Sequence, residues 1–372
     1  MNVFSKALAF SLLGFLAGGI TSPLYSAEDF ESFTVGQIRG KSCEIKPKGD
    51  SIWKEPKKGE SYKSGSSGKT GSLSTLEVAF NEQNRFRLLP ETEIVVDTST
   101  RDPKFRKVIE LGMSKGDVEV ELDAFPKGYQ LKIQTPTAVC GGVGTHFKVK
   151  TSGWKGTTTF KSEEGTIFAR SSKDASFHAP KIEKGQSVEA VIAPGKENSH
   201  TKLEIKGGTI PIAVGSESNK LDIKEGSKVE LAQEHTKETK QVAVHIENGG
   251  VKVEKADSGN VSEHKEGYYV IDDGKVIDYS KGEEKEKGPA LVRDYLVAAK
   301  EEGNLKGKLE EAHAKGEPED KLKEELDQAA EKATEMRRKM LEARGAMRGA
   351  VRDGMPQNNL IPRPPPAPPP SR

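Results

Sequence analysis

The sequence predicts a mainly β protein. It should have a solenoid- or roll-like β body with further β-hairpin repeats, then an α-helical segment and a disordered Pro-rich tail. Three observations predict it. Apolar and polar residues alternate with period two through much of residues 31–279, which puts one strand face in a core and the other in water. A Gly-punctuated motif recurs about every 19 to 25 residues through the second half of that stretch. After Ser280 the composition changes to a charged run and then to helical spacing.

Residues 1–27 read as a signal peptide. Lys6 is the only charge before Glu28, Ala7–Ile20 is apolar, and Ser22–Ala27 is a mostly small-residue exit. Tyr25 makes that exit imperfect, and an uncleaved anchor is the alternative. Cleavage removes one positive charge from a formal net charge of +1, leaving zero. With 58 Lys plus Arg against 57 Asp plus Glu, the chain lacks the basic excess of a nucleic-acid binder. No transmembrane span is expected in the mature chain.

Alternation is plain at Leu76–Phe80, Phe86–Leu88, Ile94–Val96, Val118–Leu122 and Leu131–Ile133. The repeat then places an aliphatic residue ahead of a turn glycine at Gly185, Gly207–Gly208, Gly226, Gly249 and Gly274, with alternating aliphatics after each. One such hairpin cannot bury its apolar face alone, so a solenoid or a stack of hairpins is expected. These readings divide the chain into a β domain at 31–190 and a β-repeat extension at 191–280.

Residues 281–288 form a charged linker and 289–353 a helical, coiled-coil-like segment. Pro289 suits a first helical turn, and Gly303, Gly307 and Gly316 are expected to interrupt the pattern. The longer helix carries a seam of Leu322, Leu326, Ala329, Ala333, Met336, Met340, Ala343 and Met347 at four–three spacing. Self-association, antiparallel packing on the 289–315 helix and a solvated stripe are all open. Residues 354–372 end in a polyproline run that packs no core.

Residues 33–190 resemble the FecR domain of bacterial envelope proteins. The strongest stretch is Thr135-Pro136-Thr137-Ala138-Val139-Cys140-Gly141-Gly142-Val143-Gly144-Thr145-His146-Phe147-Lys148-Val149. Gln37-Ile38-Arg39-Gly40 and Trp53 precede it in the family's order. Glu164-Gly165-Thr166-Ile167 and the Lys184-Gly185-Gln186 turn follow it. Thr135, Pro136, Gly141, Gly144, Thr145, Phe147, Gly165 and Gly185 are the motif positions, read as an architectural corner rather than a ligand site. Gly142 and Val143 stand where the family often has Val and Arg, and His146 replaces a frequent acid. The founding members are transmembrane regulators of sigma factors with a cytoplasmic segment ahead of the span. No such segment is expected here, so that role is not the expected one.

Little chemistry is legible. Gly65-Ser66-Ser67-Gly68-Lys69-Thr70 has Lys63 where a P-loop needs its first glycine, and reads as a solvated turn. The seven histidines form no zinc-protease pair. No Gly-x-Ser-x-Gly elbow occurs. No catalytic residue, metal or cofactor is expected. Cys43 and Cys140 are either a disulfide, as export allows, or two buried thiols. The expected function is an exported, non-enzymatic binding or assembly module of the bacterial envelope, contacting an envelope protein or polymer, in the periplasm or at the cell surface. Carbohydrate or peptidoglycan binding is the alternative, and an enzyme acting on envelope polymers a more distant one.

Overall fold

Among the described residues, alternation along the chain resolves into twenty-four strands and two helices. In the computed structural model the described residues are 32–353, apart from 98–106, 124–128, 143, 154–155, 173–176, 215–218, 235–240, 256–260, 273–274 and 281–286. The expected signal peptide, the expected linker through residue 286 and the Pro-rich tail lie outside them.

The first strands are β1 (Ser32–Arg39), β2 (Cys43–Lys46), β3 (Ser61–Lys63), β4 (Ser66–Thr70), β5 (Thr75–Asn81), β6 (Asn84–Leu88) and β7 (Glu93–Asp97). The long β8 (Lys107–Leu122) leads to β9 (Tyr129–Gln134), β10 (Ala138–Gly142), β11 (His146–Thr151), β12 (Thr157–Glu164), β13 (Ile167–Ser171) and β14 (His178–Ile182). The extension adds β15 (Ser187–Pro194), β16 (Asn198–Lys206), β17 (Ile210–Val214), β18 (Asn219–Ile223), β19 (Lys228–Glu234) and β20 (Gln241–Asn248). It ends with β21 (Val251–Lys255), β22 (Val261–His264), β23 (Gly267–Asp272) and β24 (Lys275–Asp278). The helices are α1 (Gly288–Lys315) and α2 (Asp320–Asp353).

The strands form two sheets. The front order is β3-β1-β5-β6-β8-β11-β12-β15-β16-β19-β20-β23-β24. The back order is β2-β4-β7-β8-β9-β10-β13-β14-β17-β18-β21-β22. Neighbours are antiparallel except β8 and β9. From β11 onward hairpins alternate between the sheets. Successive front hairpins start at 146, 187 and 228, 41 residues apart. The body is thus a stack of hairpins in two layers. One continuous core joins the layers, with Phe147 and Phe160 of the front sheet and Ile167 and Ala179 of the back sheet in the same cluster.

β8 serves both sheets. Its first part pairs with β7 and β9, and the part after Gly116 pairs with β6 and β11. Gly116 has φ +102°, and a Cβ there would collide with the main chain of Thr92, so only glycine allows this crossing. The boundary expected at 190/191 falls inside β15, and the extension continues the same stack.

Two expectations are corrected here. Ser66–Thr70 is not a solvated turn but β4, a largely buried strand between β2 and β7. Gly68 faces the core, where a Cβ would touch Leu76, Leu88 and Ile94 at ordinary van der Waals distance. Gly303 and Gly307 do not break the first helix, which runs unbroken through both. Gly303 packs its backbone against the carbonyl of Ala193, where a side chain would not fit.

α1 and α2 form a hairpin closed by Gly316, a left-handed C-cap at φ +69°. It docks on the outer face of the front sheet over β15, β16, β19, β20 and β23. Ala232, Ala243 and Val270 form the floor, and Tyr279, Val292, Tyr295, Leu296, Ala299 and Met340 pack over it. Of the seam, Leu326, Ala329, Ala333 and Met340 are buried, while Leu322, Met336 and Ala343 are half-buried. The side chain of Met347 lies outside the described residues. The seam is therefore used within the chain, in the antiparallel arrangement. No described helix is long and apolar enough to cross a membrane.

Candidate functional site

The motif residues lie at the two ends of β10, β11 and β12. Thr135 and Pro136 begin the turn between β9 and β10. Thr135 Oγ1 accepts the Ala138 N–H at 2.9 Å, and the Thr135 N–H bonds the Ala138 carbonyl at 2.8 Å. The hydroxyls of Thr135, Thr137 and Thr151 surround that of Thr158 at 3.3, 3.1 and 3.3 Å. Gly141 lies where a Cβ would strike the Leu131 carbonyl and the Phe168 ring. Gly144 turns at φ +61° and Gly165 at φ +76°, and a Cβ on Gly165 would press on Thr145. Thr145 and Phe147 are buried, and Gly185 turns the β14–β15 connection at φ +81°. His146 points to the surface, its Nε2 2.6 Å from Asp123. The structure thus splits the motif: Thr135 and Pro136 sit with Thr151 and Thr158 at one end of the strands, while Gly144, Thr145 and Gly165 meet at the other end, toward which Gly185 also lies.

Of the two readings left open for the cysteines, the structure has the buried thiols. Cys43 lies on β2 opposite Thr70 and Cys140 on β10 opposite Ile133 and Ala169. Both are free and buried, as small apolar core residues. Burial raises the pKa of both thiols.

The Thr135–Pro136 end faces a cleft of about 320 Å³. Pro136, Thr137 and Gly156 form one wall, Val191–Pro194 the floor, and Gly303, Lys308 and Glu311 of α1 the other side. Two folding elements far apart in sequence therefore meet there.

A second concentration of chemistry lies on the outer front face beside the helices. Antiparallel register places Lys202 opposite Glu230, Glu230 opposite His245, and His245 opposite Tyr268. Glu247, at the register shift two residues beyond His245, joins them. Lys202 Nζ lies 2.7 Å from Glu247 and 3.5 Å from Glu230. His245 Nδ1 lies 3.6 Å from Glu230 Oε2, and its ring stacks on Tyr268 at 4.2 Å and 2°. The neighbouring His245 imidazole holds the Glu230 carboxyl down at about 2, helped by His200 and Lys202 against its own burial. Burial opposes the charge on Lys202, yet Glu247 and Glu230 raise its pKa. His200, one step along the same face, is buried under the helix, and desolvation lowers its pKa to about 4. None of these six residues was singled out from the sequence. The His245-x-Glu247 spacing was the one available signal, and its partner Glu230 required the register.

Residues 67–176 match the family model described as FecR protein. The chain carries a FecR domain. Its matched span runs from β4 past β13, shorter than the 33–190 of the sequence resemblance, and holds all the motif residues except Gly185. The FecR domain thus supplies one wall of the cleft, while the Lys202–Glu230–His245–Glu247 cluster belongs to the extension. No curated protein matches the chain.

Proposed function

We propose that this FecR-domain protein is an exported, non-enzymatic binding or assembly module of the bacterial cell envelope. The observation that carries the reading is the FecR match itself, because this domain is found in envelope-associated proteins. The architecture is consistent with it. The helical hairpin docks on the extension, leaving the outer back face as a long sheet surface of mixed charge, with pairs such as Lys69–Glu44 and Lys220–Glu254. The leader at residues 1–27 supplies the export route in this reading.

A second reading, binding to a glycan such as peptidoglycan, is favoured by Trp53. Its ring carries Lys69 Nζ at 4.2 Å and Lys46 Nζ at 5.3 Å, an aromatic surface flanked by cations that suits an anionic sugar polymer.

Alkaline phosphatase fused after residue 372 tests export, because the enzyme is active only outside the cytoplasm. Active fusions whose activity is lost on deletion of residues 1–27 support the proposal, and inactive fusions sink it. Pelleting with purified sacculi separates the two readings. Retention that falls in Trp53→Ala favours the glycan, whereas absence of retention leaves the protein partner.

A further inference from the structure

We propose that Glu230, His245 and Glu247 form a binding site for a divalent transition-metal ion of the zinc type. The inference concerns the extension and does not depend on the envelope reading.

One imidazole nitrogen and two carboxylates are a donor set that zinc accepts. A ligand atom from each of the three lies within 4.8 Å of the others. Bonds of about 2.0–2.1 Å in a tetrahedral site hold ligand atoms roughly 3.4 Å apart. The His245 Nδ1 to Glu230 Oε2 edge, at 3.6 Å, is already near that spacing.

The sheet fixes these donors. Glu230 and His245 are directly opposed across β19 and β20. Val229 then pairs with Ile246 but Lys228 with Asn248, so Glu247 is the extra residue of a β-bulge. A bulge redirects a side chain, and here Glu247 turns toward the other two donors. The stacked ring of Tyr268 holds the plane of the imidazole.

Charge points the same way. Two carboxylates and a neutral imidazole carry two negative charges, and Lys202 returns only one. A divalent ion would balance both. The Lys202 side chain is 34% exposed, so it can swing into water and yield its place. Lys202 is thus the resident competitor of the ion.

His200 supplies a separate observation. It is 1% exposed, and its Nδ1 has no hydrogen-bond partner. It stands diagonal to Glu230 on the same face, since its direct partner Ala232 is two residues along β19. A buried polar atom without a partner is costly. Three protein ligands leave a fourth position for water, and ion-bound water is a donor of the kind this nitrogen lacks.

The test is a zinc titration of the full chain, free of any histidine tag, by calorimetry, repeated with cobalt by visible absorption. Wild-type protein should bind one ion saturably, with the intense cobalt bands of tetrahedral geometry. Glu230→Gln and His245→Ala should each weaken binding at least tenfold. Lys202→Met keeps every ligand and should tighten it roughly two- to fivefold, as removal of one exposed ion pair implies. No saturable binding below ~100 µM in either wild type or Lys202→Met overturns the site. So does binding that Glu230→Gln, His245→Ala and Lys202→Met all leave unchanged.

Discussion

Glu302 on α1 grips Asn198 at the start of β16. The Asn198 N–H donates to Glu302 Oε1 at 3.1 Å and its Nδ2 to Oε2 at 3.0 Å. The Glu197 N–H donates to the same Oε1 at 2.5 Å, and Tyr295 donates its hydroxyl to Asn198 Oδ1 at 2.9 Å. Glu302 and Asn198 are 0% and 1% exposed. A buried carboxylate is tolerated only when its lone pairs are filled, and here the β15–β16 turn fills them. This contact fixes the helical hairpin to the β body, and with it the far wall of the cleft.

Glu302→Ala should therefore destabilise the protein by roughly 3 kcal/mol, since it orphans the two buried donors of Asn198 and the part-buried Glu197 N–H. Urea unfolding measures the loss. The hairpin should also become the first site of limited proteolysis. Loss no larger than that of an exposed Glu301→Ala control would show that the grip is incidental.

Gly303→Ala sets two effects against each other. In an exposed helix the change would stabilise by about 1 kcal/mol. At this position the new methyl meets the carbonyl and Cβ of Ala193, and overpacking costs about 1–3 kcal/mol. Overpacking should win, and the melting temperature should fall. A rise would mean that the hairpin docks elsewhere.

These two residues also mark what the sequence could and could not reveal. Period-two alternation located most strands, because a side chain's face follows from its position along a strand. Gly303 read as a helix breaker because propensity cannot register a neighbouring carbonyl. The Leu322–Met347 spacing identified a buried face but not its cover, so α1 and self-association were equal on the sequence. The Glu230–His245 pairing depends on register across β19 and β20, and the bulge at Glu247 on one skipped pair. Nothing in the local sequence specifies either. Ser66–Thr70 was misread because small polar residues signal turns, while a buried strand can carry them too.

His200 should make stability depend on pH. Its imidazole is held neutral by burial, with a folded pKa of about 4 against about 6.5 for the unfolded chain. The groups facing it are Glu230 and Lys202 on the sheet and Lys300 on α1. Between those two values the unfolded state binds the extra proton, so stability falls as pH drops from about 6.5 to about 4, by up to roughly 3 kcal/mol. Urea midpoints in chelator across that range measure the slope. His200→Phe should flatten it, and an unchanged slope would assign the effect to other groups.

The two thiols give the last prediction. Cys140 is 0% exposed and Cys43 3%. Burial raises both pKa values, with a Ser74 contact partly offsetting the shift at Cys43. Thiolate is the reactive form, so both should resist maleimide at neutral pH in the native protein. Both should react once urea unfolds it, adding two labels without prior reduction. Labelling that needs a reductant would reveal a bridge and overturn the free-thiol arrangement. Rapid native labelling of Cys43 alone would instead mean that the first hairpins open, since its partner strand β4 must part before a reagent reaches the sulfur.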